Sequence, residues 1–321
     1  MRRLALALTL LPALANAELK LEAEYPVEGI AGGNLSGLAV CNQVLQGVSD
    51  RDDDRIYRLT PQGEVMQAEA EVFTTPAAAN SQLPWGMRMR NLGVSWLRGG
   101  FYDFEGLSCD AKGNRYLVSE SHGAVLSVSP THEASWLVLP PALMRQARAS
   151  GMLLHFNQGY EGIAVSPDGQ RLWLAAEQRR RGVNVLHKRG GNWRCSGGCV
   201  LFSEGGKEAS PAGIGGHVTD RDFSGLAFYG DKLFTLERQA HRICRRNLTD
   251  GAVERCWSFA ATALSEQRRY PVSHGMAEAL WIDENGAWVG VDNGRYTRAD
   301  GEARPIVWRF AAPTAGWSAK P

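Results

Sequence analysis

The chain has 321 residues, with 35 basic and 34 acidic side chains, 44% hydrophobic residues and 36 glycines. A formal net charge of +1 gives no electrostatic footprint for nucleic acid or an anionic membrane surface. The length suffices for one large domain or two ordinary ones, each with a substantial core.

The first seventeen residues have the pattern of an export signal. Arg2 and Arg3 form a basic start, a short apolar run follows, and Ala15 and Ala17 flank Asn16 in the small-x-small arrangement of a cleavage site. The run is shorter than the roughly 20 residues of a membrane-spanning helix, and no later segment is apolar for longer. Cleavage after Ala17 leaves a single domain of residues 18–321, periplasmic or secreted, with no membrane span.

Past the leader, LKLEAEYPV at Leu19 reads as a strand with no partner nearby. Five similar stretches then follow: LSGLAV at Leu35, FEGLSC at Phe104, YEGIAV at Tyr160, FSGLAF at Phe223 and AEALWI at Ala277. Each leads through a turn into a second strand that ends near an acid, and then into a third. Four units add a fourth strand: EVMQAEAEVF, SWLVLPP, the stretch around NWRCSGGCVLF, and AVERCWSF. Short strands punctuated by D-G, K-G, N-G and G-D turns, repeated every 54 to 69 residues, predict an all-β chain of propeller blades. We expect five four-stranded blades, with room for a sixth in residues 74–103. The last unit lacks a fourth strand, so the spare N-terminal one is expected to pair there and close the ring.

The six cysteines all follow the leader, and export favours disulfides. Cys195 and Cys199 bracket a small loop, and Cys244 and Cys256 flank a hairpin turned at Asp250 and Gly251. Cys41 and Cys109 pair by elimination.

Long segments join the units at roughly 74–103, 141–159, 204–221 and 259–276, and propeller geometry gathers them on one face. Inner strands begin at Ser36, Glu105, Glu161, Ser224 and Glu278; second strands end at Asp50, Glu120, Glu177, Glu237 and Asp292. Antiparallel pairing sets the start of one strand beside the end of the other. All ten positions are therefore expected around the channel on the long-loop face, and eight are acidic. Crowded carboxylates need counter-charge. One source is arginine, with Arg88, Arg90 and Arg268 as candidates to meet a substrate anion. The other is a hard cation, Ca2+ or another divalent metal, with Asp50, Glu278 and Asp292 as candidate ligands. Acids at strand ends also serve structure, by accepting backbone N–H groups or pairing with arginines of the next blade. Both readings stay open for each position.

The stretches FEGLSCDAKGNRYLVSE, NQGYEGIAVSPDGQRLWLAAE and FSGLAFYGDKLFTLER together resemble the bacterial phytase-like family, also called "esterase-like activity of phytase". The resemblance implies a β-propeller associated with ester or phosphoester hydrolysis. It also implies functional, in the leading reading catalytic, roles for Glu105, Glu120, Glu161, Glu177 and Glu237. The expectation is thus an exported, metal-assisted hydrolase acting as a monomer on a small, phosphorylated or ester substrate. The alternatives are a non-catalytic ligand-binding or scaffold propeller, and a lactonase-like propeller with calcium at its channel.

Overall fold

The computed structural model describes residues 17–30, 33–77, 81, 83–214 and 217–319. Of the expected leader only Ala17 lies among them, where with Glu18 it runs beside Trp257 and Ser258.

The chain forms a five-bladed β-propeller. The inner strands are Gly37–Cys41, Phe104–Cys109, Tyr160–Val165, Gly225–Tyr229 and Ala277–Asp283. Each pairs antiparallel with the strand that follows its turn, and two further antiparallel strands extend the blade outward. Blade 3 splits its outermost strand into Asn192–Arg194 and Val200–Gly205, both against Arg180–Arg189, with the Cys195–Cys199 disulfide loop between them. Cys244 and Cys256 face each other in register across blade 4 and are bonded.

The ring closes as the spare strand suggests. Leu21–Glu28 pairs antiparallel with Ile306–Ala311 to complete blade 5, and its last residues, Val27 and Glu28, run beside Met66 and Gln67 of blade 1. The core follows the same symmetry. Five apolar clusters fill the five seams between neighbouring blades, for example Tyr116, Val118, Ile163 and Leu174 between blades 2 and 3.

One small residue per inner strand sets how tightly the ring closes. A Cβ on Gly37 would lie 2.7 Å from the backbone nitrogen of Leu107, one on Gly106 2.9 Å from the Glu161 carbonyl oxygen, and one on Gly162 2.8 Å from the Leu226 nitrogen. Gly225 repeats the pattern, 3.1 Å from the Glu278 oxygen. In blade 5 the position is Ala279, and its cross-strand partner Gly290 yields the space instead. The repeated glycine of SGL, EGL and EGI is thus the site where one inner strand meets the backbone of the next.

Among the described residues of 74–103 there is no sixth blade. They carry helix α1, Trp85–Arg98. The second long connection carries α2, Ala142–Ala149, the third a two-stranded ribbon, Lys207–Ala209 with Val218–Asp220, and the fourth a single turn, α3, Ala260–Ala263. Among the described residues no helix is long and apolar enough to cross a membrane.

The expected Cys41–Cys109 disulfide is not formed. The two are free, buried thiols at the ends of the inner strands of blades 1 and 2, packed in one apolar cluster. Burial, and then the hydrogen bond with Cys109, push the Cys41 thiol well above its usual range. Elimination failed because a protonated thiol packs as a small apolar side chain.

Removing residues 18–27 should lower the melting temperature by about 10 °C or more, because Ile306–Ala311 becomes an open edge. Gly162→Ala should cost about 1–3 kcal/mol in denaturant melts, since the new methyl meets backbone. Wild-type melting in either variant would contradict this account of closure.

Candidate functional site: the carboxylate mouth

Three of the inner strands bulge at one place. The pairing register shifts between Phe104 and Gly106, between Tyr160 and Gly162, and between Ala277 and Ala279. The skipped residues are Glu105, Glu161 and Glu278. A bulge re-aims the extra side chain, and here it turns three glutamates towards the channel mouth. Blades 1 and 4 have serine instead and stay regular. Ser36 Oγ accepts from the Asp50 amide at 3.2 Å, and Ser224 Oγ donates to the Ala277 carbonyl at 2.7 Å.

The second strands contribute the residue two beyond the partner of the small inner residue. Counting from the observed pairs, these are Asp50, Glu120, Glu177, Arg238 and Asp292. Two aspartates that the sequence reading did not single out, Asp103 and Asp222, precede Glu105 and Ser224 by two residues and join the mouth.

These groups divide into two halves. On the side of blades 3 to 5, Arg238 reaches Glu177 and Glu278 with its two terminal nitrogens and Asp222 with Nε at 3.1 Å. On the side of blades 1 to 3, two trios of carboxylates stand close together. Asp50, Asp103 and Glu105 each bring an oxygen within 4.8 Å of the other two, and so do Glu120, Glu161 and Glu177. Glu120 Oε1 accepts from the Gly159 amide at 2.8 Å. Glu177 is 1% exposed, and its Oε2 has no hydrogen-bond partner among the described residues.

The electrostatics follow from that crowding. Burial, then Glu161, Asp103, Asp50 and Glu120, push Glu105 well above the usual carboxylate range. Burial and Glu177 do the same to Glu161, with Arg238 only partly offsetting them. Burial raises Glu177 and Glu278 to about 7 and Asp222 and Asp292 to about 6, against the pull of Arg238.

Residues 30–194, which span blades 1 to 3 and include both trios, match the family described as "Phytase-like: Esterase-like activity of phytase". The chain belongs to the phytase-like family. Curated proteins give no match. Solved structures similar to this phytase-like chain include Myxococcus xanthus glutaminyl cyclase, at 10% identity over 91% of this chain and 97% of that one, with a TM-score of 0.47. A Xanthomonas campestris gluconolactonase aligns at 11% identity over 92% and 88%, with a TM-score of 0.42. A Bacteroides uniformis protein assigned as a 6-phosphogluconolactonase aligns at 16% identity over 69% of this chain and 53% of that one, with a TM-score of 0.35. The phytase-like chain thus spans about half the length of that last protein.

The phytase-like site differs from the sequence reading at Glu237. In LFTLER the acid was aligned with Glu120 and Glu177, but Gly225 pairs with Leu236, so the equivalent residue is Arg238. A slip of one residue flips a side chain to the other face of its strand. Glu237 points into the seam between blades 3 and 4, fully buried. There it meets Arg181 at 3.1 Å, Arg242 Nε at 2.8 Å and Arg246 Nη2 at 3.0 Å. Burial works to raise its pKa, and the three guanidinium charges outweigh it and hold the carboxyl below its usual range.

The three arginines proposed for a substrate anion are also dispersed. Arg268 donates to Glu24 at 2.7 Å, near the closing strand. Arg90 lies over the Phe156 ring at 4.4 Å, and Arg88 lines a cavity beneath α1. The aspartates after Asp50 are structural. Asp52 accepts from Tyr57 at 2.6 Å, Asp53 from the amides of Phe101 and Tyr102 at 2.8 and 2.7 Å, and Asp54 from Arg55 at 2.8 Å.

Two predictions separate mouth from seam. At pH 7 in chelator, Glu237→Gln should cost about 3–5 kcal/mol, because it strands buried arginines, whereas Glu105→Gln should leave stability unchanged or raise it by relieving repulsion. A denaturant midpoint that falls in both alike would overturn the distinction. The second concerns pH. An acid with a raised pKa binds its proton more tightly when folded, so its stabilisation is lost as pH rises through the folded value. Histidines with lowered values act oppositely, but only below their ordinary 6.5. Between pH 6.5 and 8 the mouth acids dominate, and the chelated protein should melt at progressively lower temperature. A flat or rising profile there would count against the raised values.

Proposed function

We propose that the channel mouth is the reaction centre of an exported ester hydrolase, in which the two carboxylate trios hold a hard divalent cation. The observation that carries this reading is the asymmetry of the mouth. Arg238 ties together the acids of one half, while the other gathers Asp50, Asp103, Glu105, Glu120 and Glu161, with Glu177 at its border and Arg51 Nε 3.3 Å from Asp50. The donor set is all carboxylate oxygen, which suits calcium, magnesium or manganese rather than softer metals. The enclosed Oε2 of Glu177, which has no hydrogen-bond partner among the described residues, is consistent with a ligand for such a cation. When bound, such an ion would polarise the ester oxygen and acidify a water molecule.

The chain's own groups do the rest. Glu105 remains partly open to solvent, although acidic neighbours surround it. Burial and its acidic neighbours push its pKa up, which suits a group that holds a proton for a leaving group. Glu161 and Glu120 hold the second trio, and Arg238 fixes Glu177 in place. A carboxylic ester is favoured over a phosphomonoester. Arg238 is engaged by three carboxylates, Arg268 by Glu24 and Arg90 by Phe156, so a substrate phosphate would rely on the cation or on Arg88.

The test is turnover of 4-nitrophenyl acetate and 4-nitrophenyl phosphate by protein freed of metal, then resupplied with calcium, magnesium or manganese. We expect turnover of the carboxylic ester, abolished by chelator and restored by one of these ions, with Glu161→Gln lowering kcat by about 100-fold or more. A metal-induced rise in melting temperature without turnover of any ester would leave a ligand-binding propeller. Turnover indifferent to chelator would remove the cation from the reading.

A further inference from the structure

Beneath α1 lies a cavity of about 470 Å3 that the carboxylate chemistry does not use. Trp85, Met89 and Leu92 recur at helical spacing along one wall, and Phe101 and Tyr102 form the opposite one. These side chains are unusually open: Trp85 is 70% exposed, Met89 49% and Leu92 41%. Apolar surface left in water around a concavity marks a place where something binds.

The walls are held in position. Asn91 Nδ2 donates to the Ser121 carbonyl at 2.7 Å, Ser81 Oγ to the His122 carbonyl at 2.9 Å, and Asp53 holds the amides of Phe101 and Tyr102. The cavity also adjoins the mouth. Tyr102 directly precedes Asp103, His122 follows Glu120 by two residues, and the turn leaving α1 crosses Asp50. A Cβ on Gly100, at φ +70°, would fall on the Asp50 carbonyl oxygen.

One polar group faces this space with a defined role. His122 Nδ1 lies 2.8 Å from Ser121 Oγ, which itself contacts the carbonyl oxygens of Phe101 and Tyr102 at 2.9 Å. Carbonyl oxygens only accept, so the serine proton is committed to them, and Ser121 accepts from Nδ1–H. The imidazole is then left with an unprotonated Nε2, which has no protein hydrogen bond among the described residues.

We propose that this cavity binds a hydroxyaryl group, its ring between Trp85, Leu92 and Tyr102 and its hydroxyl donating to His122 Nε2. Its use as the subsite for part of an ester substrate rests on the hydrolase reading above; the binding itself does not. The test uses 1-naphthol and 1-methoxynaphthalene, in which a methyl replaces the donor hydrogen, titrated against the full protein by fluorescence. We expect 1-naphthol to bind about three- to tenfold more tightly than the ether, the worth of one hydrogen bond. His122→Phe should bring the two ligands to equal affinity. Leu92→Glu and Trp85→Ala, on a surface helix where the fold tolerates change, should each weaken 1-naphthol about tenfold or more. Glu161→Gln should leave both dissociation constants unchanged. Equal binding of the two ligands by the native protein, or 1-naphthol affinity unmoved by Leu92→Glu, overturns the proposal. If binding behaves as expected while no ester is turned over, the hydrolase reading falls and the aryl site stands.

Discussion

The structure depends on five backbones meeting around one narrow axis. That approach is achieved where an inner strand presents a hydrogen or, once, a methyl to its neighbour. In three blades the residue before that contact bulges out of the pairing. Tight closure and a crowded mouth therefore meet at the same level of the ring. The close approach of the inner strands also brings Glu105 near Glu161, and Glu161 near Glu278, close enough to repel.

The mouth answers that repulsion unevenly. Arg238 ties together side chains from blades 3 and 5 and the approach to blade 4, so one half is internally compensated. The other half is more crowded with acids: Arg51 stands 3.3 Å from Asp50, and burial and mutual repulsion push Glu105 and Glu161 well above the usual range. Such an arrangement is a weak stability element, and the cation proposed above would offset its repulsion. The buried cage around Glu237 shows the contrast. It places three arginines on one carboxylate, where no substrate can enter.

Much of this was legible in the chain. Turn chemistry and strand length are local properties, so the blades and the closing strand followed from counting strands and finding one missing and one spare. Register was not legible at the blade 4 hairpin. Matching acids to acids in LFTLER chose Glu237, whereas counting from Gly225 through the shorter turn gives Arg238. Asp103 and Asp222 had a signal that went unread, the repeated DFEG and DFSG. The helix in residues 74–103 had one too, since Trp85, Met89, Leu92 and Trp96 recur at helical spacing. Cys41 and Cys109 had none, because sequence alone does not distinguish a paired cysteine from a packed one.

The closing strand has a temporal meaning as well as a spatial one. Leu21 pairs with Phe310, so nearly the whole polypeptide must be present before the circle can be completed. Until then the earlier blades wait with an unmet edge at each end of the arc, and the mouth, which draws on all five, is incomplete. The carboxylate trios need only blades 1 to 3, whereas the Arg238 half, which includes Glu278, also needs blade 5, whose outer strand is Leu21–Glu28.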